Sequence, residues 1–292
     1  MRYIKAGIAV LFVLLVSFFV VKSCVHPKRI SYEDEPESRI PFFSELVSPK
    51  RIVVAPRTAA ASKRPKVSGA APRMAIILDD WGKNYGVLKY ALEIKRPLTL
   101  AIIPNLPKTR KIAEEAHQNG LGIMLHLPME PKSKNEPLEP HTILTTMPEK
   151  EILKCVDDAV ASVPHLEGVN NHMGSAATSD ARVMKTILKR LKAKNLFFID
   201  SAVVSTTQGP KAAAETGIRF AKRDVFIDNV NKVDAIKAQL KKALDIALSH
   251  GEVVVIGHDR KLTLQAIKEM IPAFDEAGVR LVLARELVRT AS

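Results

Sequence analysis

Met74-Ala75-Ile76-Ile77-Leu78 is an apolar run that leads directly into the acidic pair Asp79-Asp80. Runs of this kind, separated by helical stretches, are typical of buried parallel strands. In a parallel barrel the carboxyl ends of all strands share one face, where the active site lies. Later apolar runs in the 292-residue chain also end at polar residues, namely His126, Asn170-Asn171-His172, Asp200-Ser201, Asp228 and His258. The pattern predicts that these side chains gather at one site.

A strand–helix alternation continues from Met74 to the end of the chain. Gly120, Gly251 and Gly278 each end a predicted helix, as the repeated βα unit requires. Seven or eight strands over residues 74–292 predict a single α/β barrel, and an open doubly wound sheet is the alternative. No glycine-rich phosphate loop follows the first strand, which argues against a nucleotide site.

Cap signals predict the helix boundaries. Thr146-Met147-Pro148-Glu149 resembles a capping box before a helix that runs to about Val163. Ser179 is the predicted cap of a helix that ends near Asn195. Further helices are expected over residues 107–120, 231–250 and 262–277.

The first 22 residues predict a signal anchor. Arg2 and Lys5 precede an apolar stretch over residues 6–21, and no small-residue cleavage site follows it. We expect an uncleaved transmembrane segment in the inner (cytoplasmic) membrane, with the remaining chain in the periplasm or another extracytoplasmic space. Lipid attachment at Cys24 is the alternative. Residues 23–73 are a proline-rich basic linker, a composition that cannot bury a core.

Positive charge is concentrated in the amino-terminal part of the chain. The formal net charge is +13, and residues 1–73 hold 13 Lys and Arg against 5 Asp and Glu. A basic segment suits anionic lipid or an acidic envelope polymer by electrostatics alone. Nucleic acid is the competing partner, but no zinc finger, basic zipper or aromatic RNA-binding motif supports it. We therefore expect a membrane partner and no nucleic acid.

Asp79 and Asp80 are the first candidates for chemistry. A single aspartate at a strand end is often the N-cap of the next helix. Two adjacent side chains diverge, however, so one carboxylate can bind a cation while the other stays free as a base. Trp81 follows as a candidate sugar-stacking ring. Three of the eight histidines end apolar strands, His126, His172 and His258. Together with the acidic pair they point to a metal-dependent hydrolytic site.

Six motifs occur in the order Ile77-Leu78-Asp79-Asp80-Trp81-Gly82, His126-Leu127-Pro128-Met129-Glu130-Pro131, Asn171-His172-Met173-Gly174-Ser175, Phe198-Ile199-Asp200-Ser201, Arg223-Asp224-Val225-Phe226-Ile227-Asp228 and Ile256-Gly257-His258. In this order they resemble the divergent polysaccharide deacetylases, a branch of the NodB-homology carbohydrate esterases, over essentially all of residues 74–292. The resemblance implies a distorted (β/α)7-type barrel. It also implies removal of N- or O-acetyl groups from sugars with a bound divalent metal, usually Zn2+.

The resemblance also implies a role for individual residues. Asp79 corresponds to the general base, Asp80 to a metal ligand and His258 to the general acid. His126 corresponds to the first of two ligand histidines that the wider group carries four residues apart. In this chain the residue four positions after His126 is Glu130, where the wider group has the second histidine.

His172 is therefore the expected third ligand. The arginine motif of the wider group is missing, and Arg223 is expected to orient a catalytic carboxylate. Asp200 is assigned to the catalytic group with it. Asp259 follows His258 where the family pattern has proline. The expected substrate-binding residues are Trp81, Glu130, Asn171, Ser175, Ser201 and Asp228.

The leading hypothesis for function is an anchored, envelope-facing carbohydrate deacetylase that acts on a polysaccharide or a peptidoglycan-type glycan. A non-catalytic carbohydrate-binding or envelope scaffold protein on the same barrel is the rival, because Glu130 and the missing arginine motif depart from the catalytic pattern. A metal-dependent hydrolase of another amide or ester would use the same site.

Overall fold

A computed structural model describes residues 70–290 of the chain. The predicted anchor over residues 1–22 and nearly all of the predicted linker lie outside the described residues. Within residues 70–290, none of the helices has the length and apolar character of a membrane span.

The described chain alternates between strands and helices, as the apolar pattern predicts. The strands are β1 (Arg73–Trp81), β2 (Thr99–Ile102), β3 (Gly122–Met129), β4 (Gly168–Met173), β5 (Phe197–Asp200), β6 (Arg219–Lys222), β7 (Val225–Phe226), β8 (Glu252–His258), β9 (Arg280–Val282) and β10 (Arg289–Thr290). The helices are α1 (Leu88–Leu92), α2 (Thr109–Gln118), α3 (Glu149–Ser162), α4 (Ala181–Ala193), α5 (Gly209–Thr216), α6 (Val233–His250) and α7 (Lys261–Glu276). Short 3-10 turns lie at Tyr85–Val87, Ala177–Ser179 and Ala284–Glu286.

The strands form one sheet in the order β10-β6-β5-β4-β3-β2-β1-β8-β7, and β9 also pairs with β1. All pairings are parallel except that of β10 with β6. The predicted α/β class is confirmed. The expected distorted barrel is found in an open form, because β6 and β7 lie at opposite ends of the parallel strand order and do not pair with each other. The sheet is a curled half-barrel, and Arg223 and Asp224 carry the chain from one edge to the other.

Residues of β1 alternate between two hydrophobic cores. Met74, Ile76 and Leu78 belong to an outer core shared with the helices. Ala75 and Ile77 belong to an inner core on the concave side of the sheet. Because neighbouring strands follow one another in sequence, right-handed crossovers place all the helices on one face of the sheet. The sheet curls around the other face, which encloses the inner core.

Two of the predicted helix caps are wrong. Helix α3 begins at Glu149 after Pro148, and no side chain caps it, so Thr146 does not form a capping box. At the start of α4 the cap is Asp180, whose side chain accepts a hydrogen bond from the Val183 N–H. Ser179 lies in the 3-10 turn that precedes α4. The predicted glycine at the end of α6 is confirmed, because Gly251 has a φ of 85°.

Candidate metal centre

The acidic pair lies at a bulge in β1. Leu78 pairs with Leu100 of β2, whereas Trp81 pairs with Ile102, so β1 contains one more residue than its partner over this interval. Asp80 adopts a φ of 69°, in the left-handed region that aspartate tolerates better than most residues. In a regular strand adjacent side chains point to opposite faces. The bulge instead allows Asp79 and Asp80 to line the same cleft.

Three side chains converge with the geometry of a metal site. Asp80 Oδ1 lies 3.1 Å from His172 Nδ1 and 3.4 Å from His126 Nε2. One ligand atom from each of the three residues lies within 4.8 Å of the other two. Two imidazoles and a carboxylate form a donor set that suits Zn2+ and leaves a coordination position open.

A buried oxygen supports this assignment. Asp80 Oδ1 is buried and has no hydrogen-bond partner. Burial by itself would raise the pKa of Asp80, but the imidazoles of His126 and His172 outweigh it and hold the pKa well below its usual range. A buried anionic oxygen that faces two imidazoles fits a divalent cation, which would satisfy all three groups.

Asp79 lies beside this group and is held by a neighbouring amide. Its side chain is buried, and its Oδ1 accepts a hydrogen bond from Asn170 Nδ2 at 2.8 Å. Its other oxygen, Oδ2, lies 3.7 Å from His126 Nε2. Burial raises the pKa of Asp79, and the charge of His126 opposes this only in part. A carboxylate with a raised pKa is suited to accept a proton.

His258 is held from behind by a buried carboxylate. Asp228 Oδ1 lies 2.9 Å from His258 Nδ1, and His258 Nε2 lies 3.7 Å from Asp80 Oδ2. Thr263 Oγ1 also donates to Asp228 at 2.7 Å. Because Asp228 is completely buried and occupied by these bonds, it orients His258 and does not reach the cleft. The prediction that Asp228 binds substrate is therefore wrong.

Arg223 lines the cleft but does not pair with a catalytic carboxylate. Its Nη2 donates to the Ala202 carbonyl oxygen at 2.9 Å, and its guanidinium lies over the Phe226 ring at 4.7 Å. Burial lowers the pKa of Arg223, and the charges of Asp79 and Asp200 oppose that shift. Arg223 therefore acts on these carboxylates through its charge and not through a hydrogen bond.

Asp200 has a structural role, contrary to its expected catalytic one. Its Oδ1 accepts from the Ala202 N–H at 2.8 Å and its Oδ2 from Thr207 Oγ1 at 2.7 Å. The side chain is completely buried and is absent from the lining of the cleft. Asp200 thereby shapes the loop that follows β5.

Glu130 and Ser175 also lie away from the cleft lining. Glu130 Oε2 accepts from the backbone N–H and the hydroxyl of Thr145, and its Oε1 accepts from Lys134 Nζ. Ser175 Oγ accepts from the Lys132 N–H. Both side chains fasten the segment after β3, so the structure does not support their expected contact with substrate.

Trp81 is completely buried in the outer core. The prediction that it stacks on a sugar is wrong, because the bulge returns Trp81 to the face of β1 that packs against the helices. Its Nε1 is a buried donor without a partner.

Asn171 and Ser201 line the cleft but bond mainly to each other. The Asn171 Oδ1 accepts from the Ser201 N–H at 2.9 Å, and Ser201 Oγ donates to the Asn171 carbonyl oxygen at 3.0 Å. These bonds join the carboxyl ends of β4 and β5.

The cleft has a volume of about 480 Å³ and includes residues that sequence reasoning missed. The missed lining residues are Met173, Val203, Phe226 and Asn229. Asn170 was named among the strand-end residues but was given no role, although it contacts both Asp79 and His126. Strand alternation was the available signal for Asn170, because it shares the inner face with His172, two residues further along β4.

Comparison with known proteins places this geometry in a family. The chain is 34% identical over 222 residues to the uncharacterized protein YibQ of Escherichia coli K12, which covers 76% of this chain and 68% of that one. An uncharacterized protein of Haemophilus influenzae is 33% identical over 201 residues, 69% of this chain and 71% of its own length.

The fold is also found in a solved structure. The uncharacterized protein ATU2773 of Agrobacterium tumefaciens C58 superimposes with a TM-score of 0.71 at 20% identity, over 77% of this chain and 93% of that one. The family model described as divergent polysaccharide deacetylase matches residues 76–288, which include every side chain of the cleft. The chain therefore belongs to the divergent polysaccharide deacetylase family.

Proposed function

We propose that the protein is a metal-dependent deacetylase that hydrolyses N- or O-acetyl groups of an envelope glycan. The observation that carries this proposal is the convergence of Asp80, His126 and His172 around a buried carboxylate oxygen that has no hydrogen-bond partner. Asp79 and His258 border the same cleft and supply the two proton-transfer groups that acyl hydrolysis needs.

The three converging side chains would hold the divalent cation, with Zn2+ as the first candidate. When bound, such a cation polarises an acyl carbonyl and lowers the pKa of a bound water toward about 7. This arrangement keeps Asp79 out of the ligand set and free to take a proton.

Asp79 is proposed as the general base. One of its oxygens is occupied by Asn170, so the other is the one that can accept a proton from the attacking water. Its burial keeps competing water away and raises its pKa, and both effects favour proton transfer at neutral pH.

His258 is proposed as the general acid. Asp228 holds its Nδ1, which leaves Nε2 directed toward the Asp80 side of the cleft. Burial alone would lower the pKa of His258, but the Asp228 carboxylate outweighs this effect and raises it. The raised pKa favours the protonated ring, which can give its proton to the departing amine or alcohol.

We further propose that residues 1–22 anchor the protein in the inner membrane and that residues 74–292 act outside the cytoplasm. The amino-terminal apolar stretch and the proline-rich basic segment support this location. An envelope glycan of the peptidoglycan type is the corresponding substrate class.

Metal analysis of the full-length protein, combined with acetate release from chitooligosaccharides and peptidoglycan fragments, tests the proposal. We expect one bound zinc per chain and release of acetate. The Asp80→Ala and His126→Ala variants should lose the metal, whereas Asp79→Asn should keep it and lose acetate release.

Metal content that stays unchanged in Asp80→Ala would contradict the proposed ligand set. The rival function, a carbohydrate-binding scaffold, predicts that the wild-type protein binds these glycans without releasing acetate.

A further inference from the structure

Asn170 is a buried amide that joins two groups of the candidate site. Its side chain is completely inaccessible, and it lies opposite His126 in the register of β3 and β4. The Asn170 Oδ1 lies 2.8 Å from His126 Nδ1, and the Asn170 Nδ2 lies 2.8 Å from Asp79 Oδ1. The second contact spans the concave side of the sheet from β4 to β1.

The orientation of this amide follows from its neighbours. A carboxylate only accepts hydrogen bonds, so the Asn170 end that faces Asp79 must be the NH2 group. The opposite end is then the carbonyl oxygen, which can only accept, and His126 must supply the hydrogen from Nδ1. Ser201 Oγ, at 3.3 Å from Nδ2, is a further acceptor on the NH2 side.

These hydrogen bonds determine which atom of His126 and which atom of Asp79 face the cleft. With its hydrogen on Nδ1, neutral His126 carries its lone pair on Nε2, the atom 3.4 Å from Asp80 Oδ1. With Oδ1 engaged by the amide, Asp79 presents Oδ2. A histidine ligand commonly gives its second N–H to a protein acceptor that fixes its tautomer and ring orientation.

We infer that Asn170 is a positioning residue that fixes the tautomer of His126 for metal binding and at the same time aims the free oxygen of Asp79. The part that concerns Asp79 rests on the proposed function, whereas the tautomer of His126 does not. No other side chain among residues 70–290 hydrogen-bonds to both of these groups.

Two substitutions separate the two contacts. Asn170→Asp keeps the shape and the acceptor for His126 but replaces the donor to Asp79 with an oxygen. Asn170→Ala removes both. Asn119→Asp introduces the same charge at the exposed end of α2, where the amide bonds only to a main-chain carbonyl, and serves as the matched control.

The tautomer is measured directly on metal-free, full-length protein labelled with 15N-histidine, by long-range 1H–15N correlation at a pH well above 9, the value to which the pKa of His126 is raised, so that the ring is largely neutral. We expect Nδ1–H in the wild type, in Asn170→Asp and in Asn119→Asp. In Asn170→Ala we expect Nε2–H. Retention of Nδ1–H in Asn170→Ala would overturn the inference, whether or not the protein binds metal or hydrolyses glycans.

Zinc affinity and acetate release then test the consequences. Asn170→Ala should bind zinc about 10–100-fold more weakly, the usual effect of losing such a partner, while Asn170→Asp stays close to the wild type. At saturating zinc, kcat should fall in both variants, because Asn170→Ala lacks the donor to Asp79 and Asn170→Asp places a second carboxyl group against Asp79, with which it shares a proton.

Thermal unfolding of each variant shows whether it is folded. Equal loss of zinc affinity in a folded Asn170→Asp would contradict the inference. Absence of acetate release from the wild type would contradict the proposed function alone, because the tautomer is read independently of activity.

Discussion

Asp228 holds His258 at two points: its Oδ1 lies 2.9 Å from the ring Nδ1, and its Oδ2 accepts the backbone N–H of the same residue at 2.8 Å. The main chain and the ring are thus held by one carboxylate. This arrangement decides both where the imidazole points and at which pH it loses its proton.

Asp228→Asn should shift the alkaline limb of the pH–kcat profile to lower pH. Burial lowers the pKa of His258 and the bond and charge of Asp228 raise it, so loss of that charge leaves only the weaker effects of Asp80 and Asp79 to oppose burial. Because the proposed general acid works only when protonated, activity should then be lost at a lower pH. The decrease in kcat should fall within the range of about 10²–10⁴-fold that general acid–base catalysis supplies.

Thr263→Val is the matched control, since it removes a bond to Asp228 while keeping the carboxylate charge. We expect a much smaller shift of the limb in this variant. An alkaline limb that does not move in Asp228→Asn would mean that His258 is not the group that titrates.

Zinc binding at neutral pH should release a proton from His126. Burial lowers the pKa of this imidazole, but the Asp79 charge, assisted by Asp80, raises it to about 9. Below that value the metal must displace a proton, so apparent affinity should increase about tenfold per pH unit and level off near pH 9.

Calorimetric titrations in buffers with different ionisation enthalpies measure the proton count. The Asp79→Asn variant is the control, because it should keep the metal but lacks the charge that does most to raise the pKa of His126, and it should therefore release less of a proton. Affinity that does not depend on pH over this interval would contradict the assignment of His126 as a ligand.

Glu130→Gln should leave the zinc content unchanged and lower thermal stability. The bonds from Lys134 and Thr145 lower the pKa of Glu130 from 4.5 to about 2. A carboxyl group whose pKa is lower in the folded state stabilises the fold above its unfolded pKa. That contribution is lost as the pH falls from 4.5 toward 2, so the two proteins should converge there. Scanning calorimetry at several pH values measures the difference, and loss of zinc in the variant would indicate a ligand role.

Trp81→Ala should destabilise the protein by about 3–5 kcal/mol, the usual cost of emptying a buried aromatic site. Trp81→Phe should cost less, because it fills most of the space and removes the unpartnered Nε1 donor. Chemical denaturation measures both. Trp81 is the only tryptophan in the sequence, so weak acrylamide quenching of its fluorescence would confirm its burial. Unchanged stability of Trp81→Ala would contradict this packing.

Much of the fold could be predicted because buried parallel strands give clear apolar runs. The positions of His126, His172 and His258 followed from the same signal. The assignment of Asp200 to the catalytic group failed, because a position at the end of a strand does not show which face of the sheet the side chain occupies. Asp200 follows the inner-core residue Ile199, so strand alternation places it on the outer side.

The remaining differences depend on features that leave no sequence pattern. The bulge at Asp80 interrupts the alternation of β1, so the positions of Asp80 and Trp81 could not be obtained by counting. Only two residues separate β6 from β7, too few for the crossover that paired parallel strands need, so β6 pairs with β5, β7 pairs with β8, and the sheet stays open between them. Hydrophobic periodicity is also not informative over the two residues of β7.

Asp80 reaches the cleft because β1 contains one more residue than β2 between the pairs Leu78–Leu100 and Trp81–Ile102. Deleting one residue within 79–81 would remove the bulge, so that β1 would pair with β2 residue for residue. The cleft would then be lined by one carboxylate of the pair and not by two. Such a protein would retain its architecture while its capacity to hold a cation disappeared. Under the proposed function, hydrolysis by this scaffold therefore depends on one added residue in β1.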